Sequence, residues 1–573
     1  MLQTLTTPRG EKLSGTPWQV YPRPQMRRDP YINLNGEWDF AVSQEKPETF
    51  DMRITVPFCP ESRLSGIGRH FEEGVPMWYR RKFVLPEGFR QERVLLHIGA
   101  ADQTAEVFVN RQHLCRHKGG YATFCVDITE ALAEENELLI RCTDDLHDQA
   151  FPYGKQVMRR GGMWYTPVSG IWQTVWLESV PEAYIEKLNI ENHGASVTIS
   201  TVPPLEGTVN VEQLGQFPLE HGRVTIAPEN PRFWHPDDPY LYRFTVETAQ
   251  DKVESYFAIR SLEIKKVGEY PRLCLNGKPY FFHGLLDQGY WPEGLLTAPA
   301  PESYADDILA MKRLGFNTLR KHIKVEPEEF YYQCDRLGMI VWQDMVNNGS
   351  YNYFRDTVLP TIGIQKWNDR RLHLDERSRN TFRQGAADAV NQLKNHPCIC
   401  YWTIFNEGWG QFDSDRVCGW FRTLDATRFI DTTSGWFRGK NTDVDSRHQY
   451  FGKLRLAGDG LRPLVLSEFG GKTWRVEGHI FNPDKTYGYG ACPTREALNE
   501  AVAALYRESI VPAVEKGLCA AIYTQVSDVE DEVNGLATYD RRVVKLDADT
   551  MLPISRALQD AMEKTVASFE KMG

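Results

Sequence analysis

Two glutamates each follow a strongly apolar run. Glu407 comes after the run 398–405, in Asn406-Glu407-Gly408-Trp409, and Glu468 comes after the run 464–467, in Glu468-Phe469-Gly470-Gly471. An ionised Glu beside such a run is costly to bury unless it lies in a cleft. One strand-end glutamate is commonly a cap or an ion-pair partner, but two of them at such ends favour a catalytic pair.

Hydrolysis of a glycosidic bond needs a pair of this kind. One carboxyl group must be protonated to expel the leaving oxygen, and the other must be ionised to attack carbon or to activate water. A separation of roughly 5–5.5 Å between the carboxyl groups gives retention through a covalent glycosyl-enzyme, and a wider gap gives inversion. The sequence leaves both outcomes open.

The segments around these glutamates predict a (β/α)8 barrel, because short apolar strands alternate with helical periods from residue 280 onward. The runs 398–405 and 464–467 are its fourth and seventh strands, so Glu407 and Glu468 are expected to face each other across the barrel mouth. The rival is an open doubly wound sheet, but no Gly-rich phosphate loop follows an early strand. The eight predicted strands are 280–283, 316–320, 338–343, 398–405, 428–432, 446–450, 464–467 and 519–524.

Two further domains are predicted ahead of the barrel. Residues 1–181 contain short alternating strands between turn signals, which predict a jelly-roll-like β-sandwich. Residues 182–265 are also rich in strands and are interrupted by prolines, and their length suits an immunoglobulin-like sandwich. The barrel then takes residues 266–573. A chain of 573 residues can bury such cores without disulfides or metals.

The composition limits the possible classes of binding partner and indicates the cellular compartment. A net charge of −11 without a basic run argues against nucleic acid and against an anionic membrane surface. The 11 cysteines are odd in number and widely spaced, which indicates reduced thiols. Residues 1–13 lack the apolar core of a signal peptide, and no segment is long enough to cross a bilayer. We therefore expect a cytoplasmic protein with a carbohydrate substrate; homo-oligomerisation is left open.

Several motifs resemble glycoside hydrolase family 2, the family of β-galactosidases, β-glucuronidases and β-mannosidases, and the resemblance covers nearly the whole chain. In the barrel, Asn395-His396-Pro397 leads through Trp402 to Asn406-Glu407, which resembles the acid/base signature of the family. Leu466-Ser467-Glu468-Phe469-Gly470 resembles its nucleophile strand. The N-terminal motifs similar to its sugar-binding sandwich are Asn33-Leu34-Asn35-Gly36-Glu37-Trp38, Trp78-Tyr79-Arg80-Arg81 and Gly170-Ile171-Trp172-Gln173.

The resemblance implies a role for five residues. Glu407 is the acid/base and Glu468 the nucleophile. Asn406 hydrogen-bonds the sugar 2-hydroxyl, a contact that strengthens in the transition state. Tyr450 matches a tyrosine beside the nucleophile, and Arg320 matches an arginine that would keep Glu468 ionised. For Tyr450 and Arg320, packing or a strand-end salt bridge is the alternative interpretation.

Departures from the family pattern concern the substrate. His322 is out of register with the family histidine, and His283-Gly284-Leu285-Leu286-Asp287-Gln288 replaces the His-rich run of the galactosidases. The Asn-x-Lys clamp of the glucuronidases is not evident around Asn534-Gly535-Leu536. Asp344 and Asp528 are predicted acceptors for sugar hydroxyls, and no ligand cluster indicates a metal or another cofactor. The candidate subsite residues are His283, Asp287, Trp342, Asp344, Trp409, Trp436, His448 and Asp528.

The resemblance thus implies a retaining exo-glycoside hydrolase. Its substrate would carry a terminal β-linked sugar of the β-galactoside type or a related one, or an α-L-arabinoside, cleaved through a glycosyl-enzyme. The alternatives are a catalytically silent carbohydrate-binding protein, and a β-glucuronidase or β-mannosidase specificity within the same family. A dehydrogenase is disfavoured because the dinucleotide loop is missing.

Overall fold

The computed structural model describes residues 2–570 except 362, 363, 365–368, 438, 453 and 455. Two regions of antiparallel sheets precede a parallel barrel, which confirms the predicted fold class. The exact domain boundaries stay predictions.

The first region packs a six-stranded antiparallel sheet against a four-stranded one. Burial alternates along strands such as Gly36–Val42, as expected where one face meets the core and the other meets solvent. The core between the sheets is centred on Trp38, Phe40 and Tyr79. The main strands are Tyr31–Asn33, Gly36–Val42, Met52–Val56, Met77–Phe83, Arg93–Ile98, Thr104–Val109, Gln112–Lys118, Phe124–Asp127, Asn136–Thr143 and Val175–Val180.

The second region is a smaller sandwich of a three-stranded and a four-stranded antiparallel sheet. Its separate apolar core includes Ile199, Phe244 and Phe257. Its strands are Lys187–Asn192, Val197–Val202, Gly207–Val211, Gly215–Leu219, Arg223–Ile226, Tyr242–Thr248 and Lys252–Phe257, and the short sheet Leu262–Val267, Tyr270–Leu275 and Lys278–Pro279 then leads into the barrel.

The barrel is one sheet of eight parallel strands that is nearly closed, with the fifth and sixth strands at its open edge. Almost every residue in these strands is buried. Ile399–Asn406, Leu464–Phe469 and Leu518–Tyr523 accordingly appear in the sequence as largely apolar runs, whereas Thr318–Lys321 and Asp445–Gln449 carry polar and charged residues. The strands are Phe282–Asp287, Thr318–Lys321, Ile340–Asp344, Ile399–Asn406, Phe429–Ser434, Asp445–Gln449, Leu464–Phe469 and Leu518–Tyr523.

Helices cover the outside of the barrel, and their ends follow local signals. The helix before the fourth strand begins after Asp375, whose carboxylate accepts hydrogen bonds from the amides of Arg377 and Ser378. The helix before the third strand ends at Leu337. The next residue, Gly338, caps it with a φ of 72°, a conformation that favours glycine. The longer helices are Glu302–Arg313, Glu328–Leu337, Glu376–Leu393, Ser414–Leu424, Arg495–Leu505 and Ala548–Glu570.

A long loop of the first region covers the barrel mouth. We call residues 144–169, which follow strand Asn136–Thr143, the capping segment. The amide of Tyr153 donates to the carbonyl of Asn347 at 3.1 Å, and its hydroxyl donates to the carbonyl of Gly349 at 2.8 Å. On the other side, Arg160 forms an ion pair of 2.9 Å with Asp531. The capping segment is therefore fixed to loops that follow the third and eighth barrel strands.

Within the described residues, no helix has the length and apolar character needed to cross a membrane. All eleven cysteines are free.

Candidate active site

Two strand ends bring Glu407 and Glu468 together. Strand Ile399–Asn406 ends directly before Glu407, and Glu468 lies inside strand Leu464–Phe469. Only 8% of Glu407 and 4% of Glu468 is exposed. A carboxylate oxygen of each residue and a ring nitrogen of His448 all lie within 4.8 Å of one another. The fourth and seventh strands therefore place their carboxylates at one point of the barrel mouth.

The backbone at Glu407 is held in an uncommon conformation. Its φ of 50° lies in the left-handed region, which non-glycine residues rarely adopt. Its amide donates a hydrogen bond of 2.9 Å to the carbonyl of Ser434, at the end of the fifth strand. Backbone conformations of this kind concentrate at functional sites, where the surrounding structure stabilises them.

Two side chains from the end of the sixth strand contact both carboxylates. Nδ1 of His448 lies 2.8 Å from Oε1 of Glu407, and Nε2 lies 3.7 Å from Oε1 of Glu468. The hydroxyl of Tyr450 lies 3.1 Å from Oε1 of Glu407 and also donates to Oε2 of Glu468. The two predicted residues thus bridge the pair.

Arg320 organises the floor of the site. Its Nη1 donates to Oε1 of Glu468 at 3.0 Å, and its Nη2 donates to Oδ1 of Asn406 at 2.8 Å. Its Nε donates to Asp344 at 3.0 Å. The fixed fork of a guanidinium suits such a set of acceptors, so Arg320 orients the nucleophile candidate and its neighbour together.

The surroundings of Glu468 favour its ionised form. Burial raises the pKa of this carboxyl, but the neighbouring His448 and Arg320 more than offset that effect and lower the pKa to about 2. The charge of Arg320 also keeps the pKa of buried Asp344 below its usual value, with a further hydrogen bond from His322. Glu468 is therefore an anion at neutral pH.

Asn406 is oriented with one hydrogen-bonding group available. Its oxygen accepts from Arg320, and its buried Nδ2 has no hydrogen-bond acceptor among the described residues. Buried amide nitrogens normally find a partner. A bound hydroxyl group would satisfy this donor.

Aromatic rings form two walls around the carboxylates. Tyr450 stacks on Tyr489 with ring centroids 4.4 Å apart, and Trp436 packs edge-on against Tyr450 at 6.3 Å. In the second group of rings, Trp409 stacks on Trp164 of the capping segment, with centroids 5.1 Å apart. Such rings match the apolar faces of a sugar.

Five predicted subsite residues have other contacts within the protein, and two of them are aromatic rings. His283 lies near the start of the first strand, so the expectation that it follows a strand end was wrong; the strand runs Phe282–Asp287 rather than 280–283. Its ring packs 4.2 Å from that of Phe316. Trp342 is fully buried and stacks on Tyr401 at 3.9 Å.

The predicted hydroxyl acceptors also have partners. Asp344 accepts from Arg320 and lies 2.8 Å from Nδ1 of His322, and it is 1% exposed. Asp528 accepts hydrogen bonds of 2.6 and 2.8 Å from Lys545.

Asp287 likewise pairs with Lys321 at 2.6 Å. Among the carboxylates of Asp287, Asp344 and Asp528, only that of Asp344 belongs to the hydrogen-bond network around Arg320, where it positions other side chains.

The sequence analysis missed residues that reach the site from other elements. His322, which was given little weight, lies 3.9 Å from Glu468 through its Nδ1. Lys155 and Trp164 come from the capping segment, about 250 residues before Glu407. No local pattern marks them, because their position depends on how the first region docks on the barrel.

In the part of the chain that the structure describes, two groups of side chains have the spacing of a metal site. One is Glu407, His448 and Glu468, and the other is Glu73, Asp145 and His147, of which the last two are exposed. In the first group, Arg320 and Tyr450 already donate to the carboxylates. These donors compete for the lone pairs that a cation would need, so the first group fits proton transfer better than metal binding.

A sandwich region that covers a parallel barrel, with two carboxylates at its mouth, is an architecture typical of glycoside hydrolases. Models of three protein-family domains match this sequence and agree with that architecture. They describe a galactose-binding domain-like region of glycosyl hydrolase 2 (residues 70–158), glycosyl hydrolases family 2 (182–260) and the TIM barrel domain of that family (266–453). The chain belongs to glycosyl hydrolases family 2.

Curated relatives are distant. A β-glucuronidase of Bacteroides fragilis is 23% identical over 407 residues, which cover 66% of this chain and 56% of the relative. A β-galactosidase of Thermoanaerobacter pseudethanolicus is 24% identical over 417 residues, which cover 66% of this chain and 52% of the relative. The chain thus spans about half the length of these two relatives.

Solved structures share the fold over almost the whole chain. A β-glucuronidase from an uncultured Clostridium superposes with a TM-score of 0.70 at 19% identity, covering 95% of this chain and 100% of the other. A β-galacturonidase of Eisenbergiella tayi bound to galacturonate superposes with a TM-score of 0.68 at 17% identity, and the match covers 95% of this chain and 99% of the other.

Proposed function

We propose that this protein is a retaining exo-β-glycoside hydrolase that removes one terminal sugar at a time. The observation that carries the proposal is the meeting of Glu407 and Glu468, with carboxylate oxygens within 4.8 Å, above a buried guanidinium. Two carboxyl groups held so close leave little room for a water molecule between Glu468 and the anomeric carbon. This favours direct attack by Glu468.

In the first step, Glu468 attacks the anomeric carbon while Glu407 donates a proton to the glycosidic oxygen. The bond to the leaving alcohol breaks, and an ester forms between the sugar and Glu468. In the second step, Glu407 takes a proton from water, the oxygen of water bonds to the anomeric carbon, and the ester to Glu468 breaks. Each step inverts the configuration, so the product keeps that of the substrate.

The neighbouring side chains have roles that follow from their contacts. Arg320 keeps Glu468 ionised and orients Asn406, whose Nδ2 is placed to donate to a sugar hydroxyl. Tyr450 donates to the nucleophile before attack and becomes free to stabilise charge near the reacting centre once Glu468 is esterified.

The identity of the terminal sugar depends on the charge of the groups that line the site. The relatives carry names for both neutral and acidic sugars, β-galactosidase and β-glucuronidase. A β-galactoside-type substrate or an α-L-arabinoside suits a site without an added charge, and a β-mannosidase specificity is a further alternative. A uronide requires a cation in the site.

The free cysteines suit a reducing compartment, so we also propose a cytoplasmic location.

A panel of nitrophenyl glycosides tests the proposal. The wild type should release nitrophenol from at least one β-glycoside, and Glu468→Gln should reduce kcat by at least about 10³-fold, because amide nitrogen does not attack carbon. Unchanged melting of the variant would show that it is folded. A wild type that binds sugars but cleaves none of the panel would instead identify a carbohydrate-binding protein.

A further inference from the structure

Lys155 brings an ammonium group from the first sandwich region to the barrel mouth. The residue lies in the capping segment and is only 7% exposed. Its Nζ lies 5.6 Å from the ring centroid of Tyr165 and 5.7 Å from that of Trp409. Trp409 follows the acid/base candidate Glu407 by two residues, so the ammonium lies on the wall beside the reacting groups.

The charge of Lys155 has no close partner among the described residues. No carboxylate oxygen there lies within 4.0 Å of Nζ, and Nζ donates no hydrogen bond to another described group. The other buried lysines around the mouth differ. They pair with carboxylates at 2.6 to 2.8 Å, in the pairs Lys321 with Asp287, Lys324 with Glu326, and Lys545 with Asp528.

A buried charge without a partner is costly, and proteins normally pair it or neutralise it. The cost falls when a ligand of opposite charge binds. The environment of Lys155 therefore suits an anionic ligand rather than a neutral one.

The electrostatic influence of Lys155 extends to two buried groups near the site, His322 and Glu532. Burial and the nearby Lys155 charge lower the pKa of His322, whose Nδ1 lies 3.9 Å from Glu468. On the other side, burial raises the pKa of Glu532 and the charge of Lys155 opposes that rise. The ammonium thus acts electrostatically on a histidine beside the nucleophile candidate and on the loop that follows the eighth strand.

The support beneath Lys155 is rigid. Its carbonyl accepts a hydrogen bond of 3.0 Å from the amide of Tyr165, and the neighbouring Tyr153 bonds to the loop after the third strand. Trp164 of the same segment stacks on Trp409. A charge held in this way is positioned before the ligand arrives, which lowers the entropy cost of binding.

We propose that Lys155 is a specificity-determining residue that binds a carboxylate of the terminal sugar, so that the substrates are β-linked uronides. This inference rests on the glycosidase activity proposed above. An ammonium and a carboxylate form a charge-assisted hydrogen bond, which is strong where water is excluded. A neutral hexose lacks the charge that this group requires.

The competing explanation is that Lys155 serves as an internal counter-charge for Glu532. Glu532 already accepts hydrogen bonds from Tyr165 and from Gln525. Its oxygens lie beyond the 4.0 Å of a salt bridge with Lys155. A counter-charge would matter for stability, whereas a binding group would matter for the choice of sugar.

The test compares nitrophenyl β-D-glucuronide and β-D-galacturonide with the matching β-D-glucoside and β-D-galactoside. We expect the wild type to prefer a uronide. Lys155→Gln should lower kcat/KM for that uronide by at least about 30-fold, with less than about threefold change for neutral glycosides. Lys155→Arg keeps the charge and should retain part of the preference. Lys485→Gln removes an exposed charge beside the capping segment and should leave the preference unchanged.

Two results would overturn the inference while the glycosidase proposal stands. One is a wild type whose kcat/KM for neutral glycosides equals that for uronides. The other is an equal loss of kcat/KM on both classes in Lys155→Gln. If Lys155→Gln has a lower melting temperature but the same preference between uronides and neutral glycosides, Lys155 is the counter-charge of Glu532. If the wild type cleaves no glycoside, the glycosidase proposal fails. Calorimetry with free glucuronate, galacturonate, glucose and galactose then tests whether Lys155 binds a carboxylate. Uronate binding that is lost in Lys155→Gln supports this role. Equal binding of all four sugars contradicts it.

Discussion

Arg320 donates a hydrogen bond of 3.0 Å from Nη1 to Oε1 of Glu468, and both side chains are buried in the barrel mouth. The same guanidinium contacts Asn406 and Asp344. One residue therefore sets the charge of the nucleophile candidate and the orientation of a sugar-binding candidate.

Replacing this guanidinium should change the pH dependence. In Arg320→Met, the pKa of Glu468 should rise from about 2 toward the usual value of about 4.3, because the permanent charge of Arg320 is gone and only the neighbouring histidines and Tyr450 still favour the ionised form. Glu468 must be ionised to attack, so the acidic loss of kcat/KM should begin at a higher pH than in the wild type. Profiles of kcat/KM against pH measure this shift.

Arg320→Lys is the matched control. It keeps the charge, so the acidic limb should stay near that of the wild type, while kcat falls because a single ammonium does not reach all three acceptors. A wild-type profile in the folded Met variant would argue against an electrostatic role for Arg320.

Azide rescue should distinguish Glu407 from Glu468. Glu407→Gly should lose about 10²–10⁴-fold in kcat/KM on substrates with poor leaving groups and much less on activated ones, since only the former need a general acid. Azide should restore turnover with a β-glycosyl azide as product. Glu468→Gly should instead give the inverted α-azide. The opposite stereochemistry, read by NMR, would reverse the assigned roles.

The pair of Asp528 and Lys545 should contribute to stability rather than to sugar binding. In Asp528→Asn, Lys545 remains buried without a carboxylate, and breaking such a pair costs about 3–5 kcal/mol in the free energy of unfolding. Denaturant unfolding measures the loss, and the double variant Asp528→Asn with Lys545→Met should recover part of it. A raised KM with unchanged stability would show that Asp528 binds the sugar after all.

Buried His283 should make the fold sensitive to acid. Burial lowers its pKa to about 3, whereas the unfolded chain binds the proton near the ordinary value of about 6.5. Between these values the unfolded state takes up more protons, so the free energy of unfolding falls as the pH drops below about 6.5.

At pH 5 the expected loss is about 2 kcal/mol relative to pH 7. His283→Gln cannot be protonated, so its unfolding free energy should fall less between pH 7 and pH 5 than that of the wild type. Denaturant unfolding at the two pH values gives the comparison. Equal losses in both proteins would assign the acid sensitivity to other groups.

Much of the site was predictable because its signals are local. Glu407 and Glu468 follow apolar runs that could only be buried strands, and the strand order put them on opposite sides of the mouth. Tyr450 directly follows one strand of the same sheet, and Arg320 lies one residue before the end of another. The position of His283 was wrong because the first strand ends at Asp287 rather than at residue 283, and a four-residue error in a strand end places a side chain near the wrong end of the strand.

The rest depends on tertiary contacts. Lys155 and Trp164 lie in an irregular loop of another region, and only the docking of that loop on the barrel gives them neighbours. Asp528 follows the eighth strand, as expected, but its pairing with Lys545 could not be predicted, since Lys545 lies in a loop whose path has no periodic signal.

The most direct measurement of the central claim is covalent trapping. A 2-deoxy-2-fluoro glycoside with a good leaving group forms the glycosyl-enzyme but slows its hydrolysis, because fluorine destabilises the positively charged transition state. Mass spectrometry of the digested protein should find one sugar attached to Glu468. A label on Glu407, or turnover that inverts the anomeric configuration, would contradict the account.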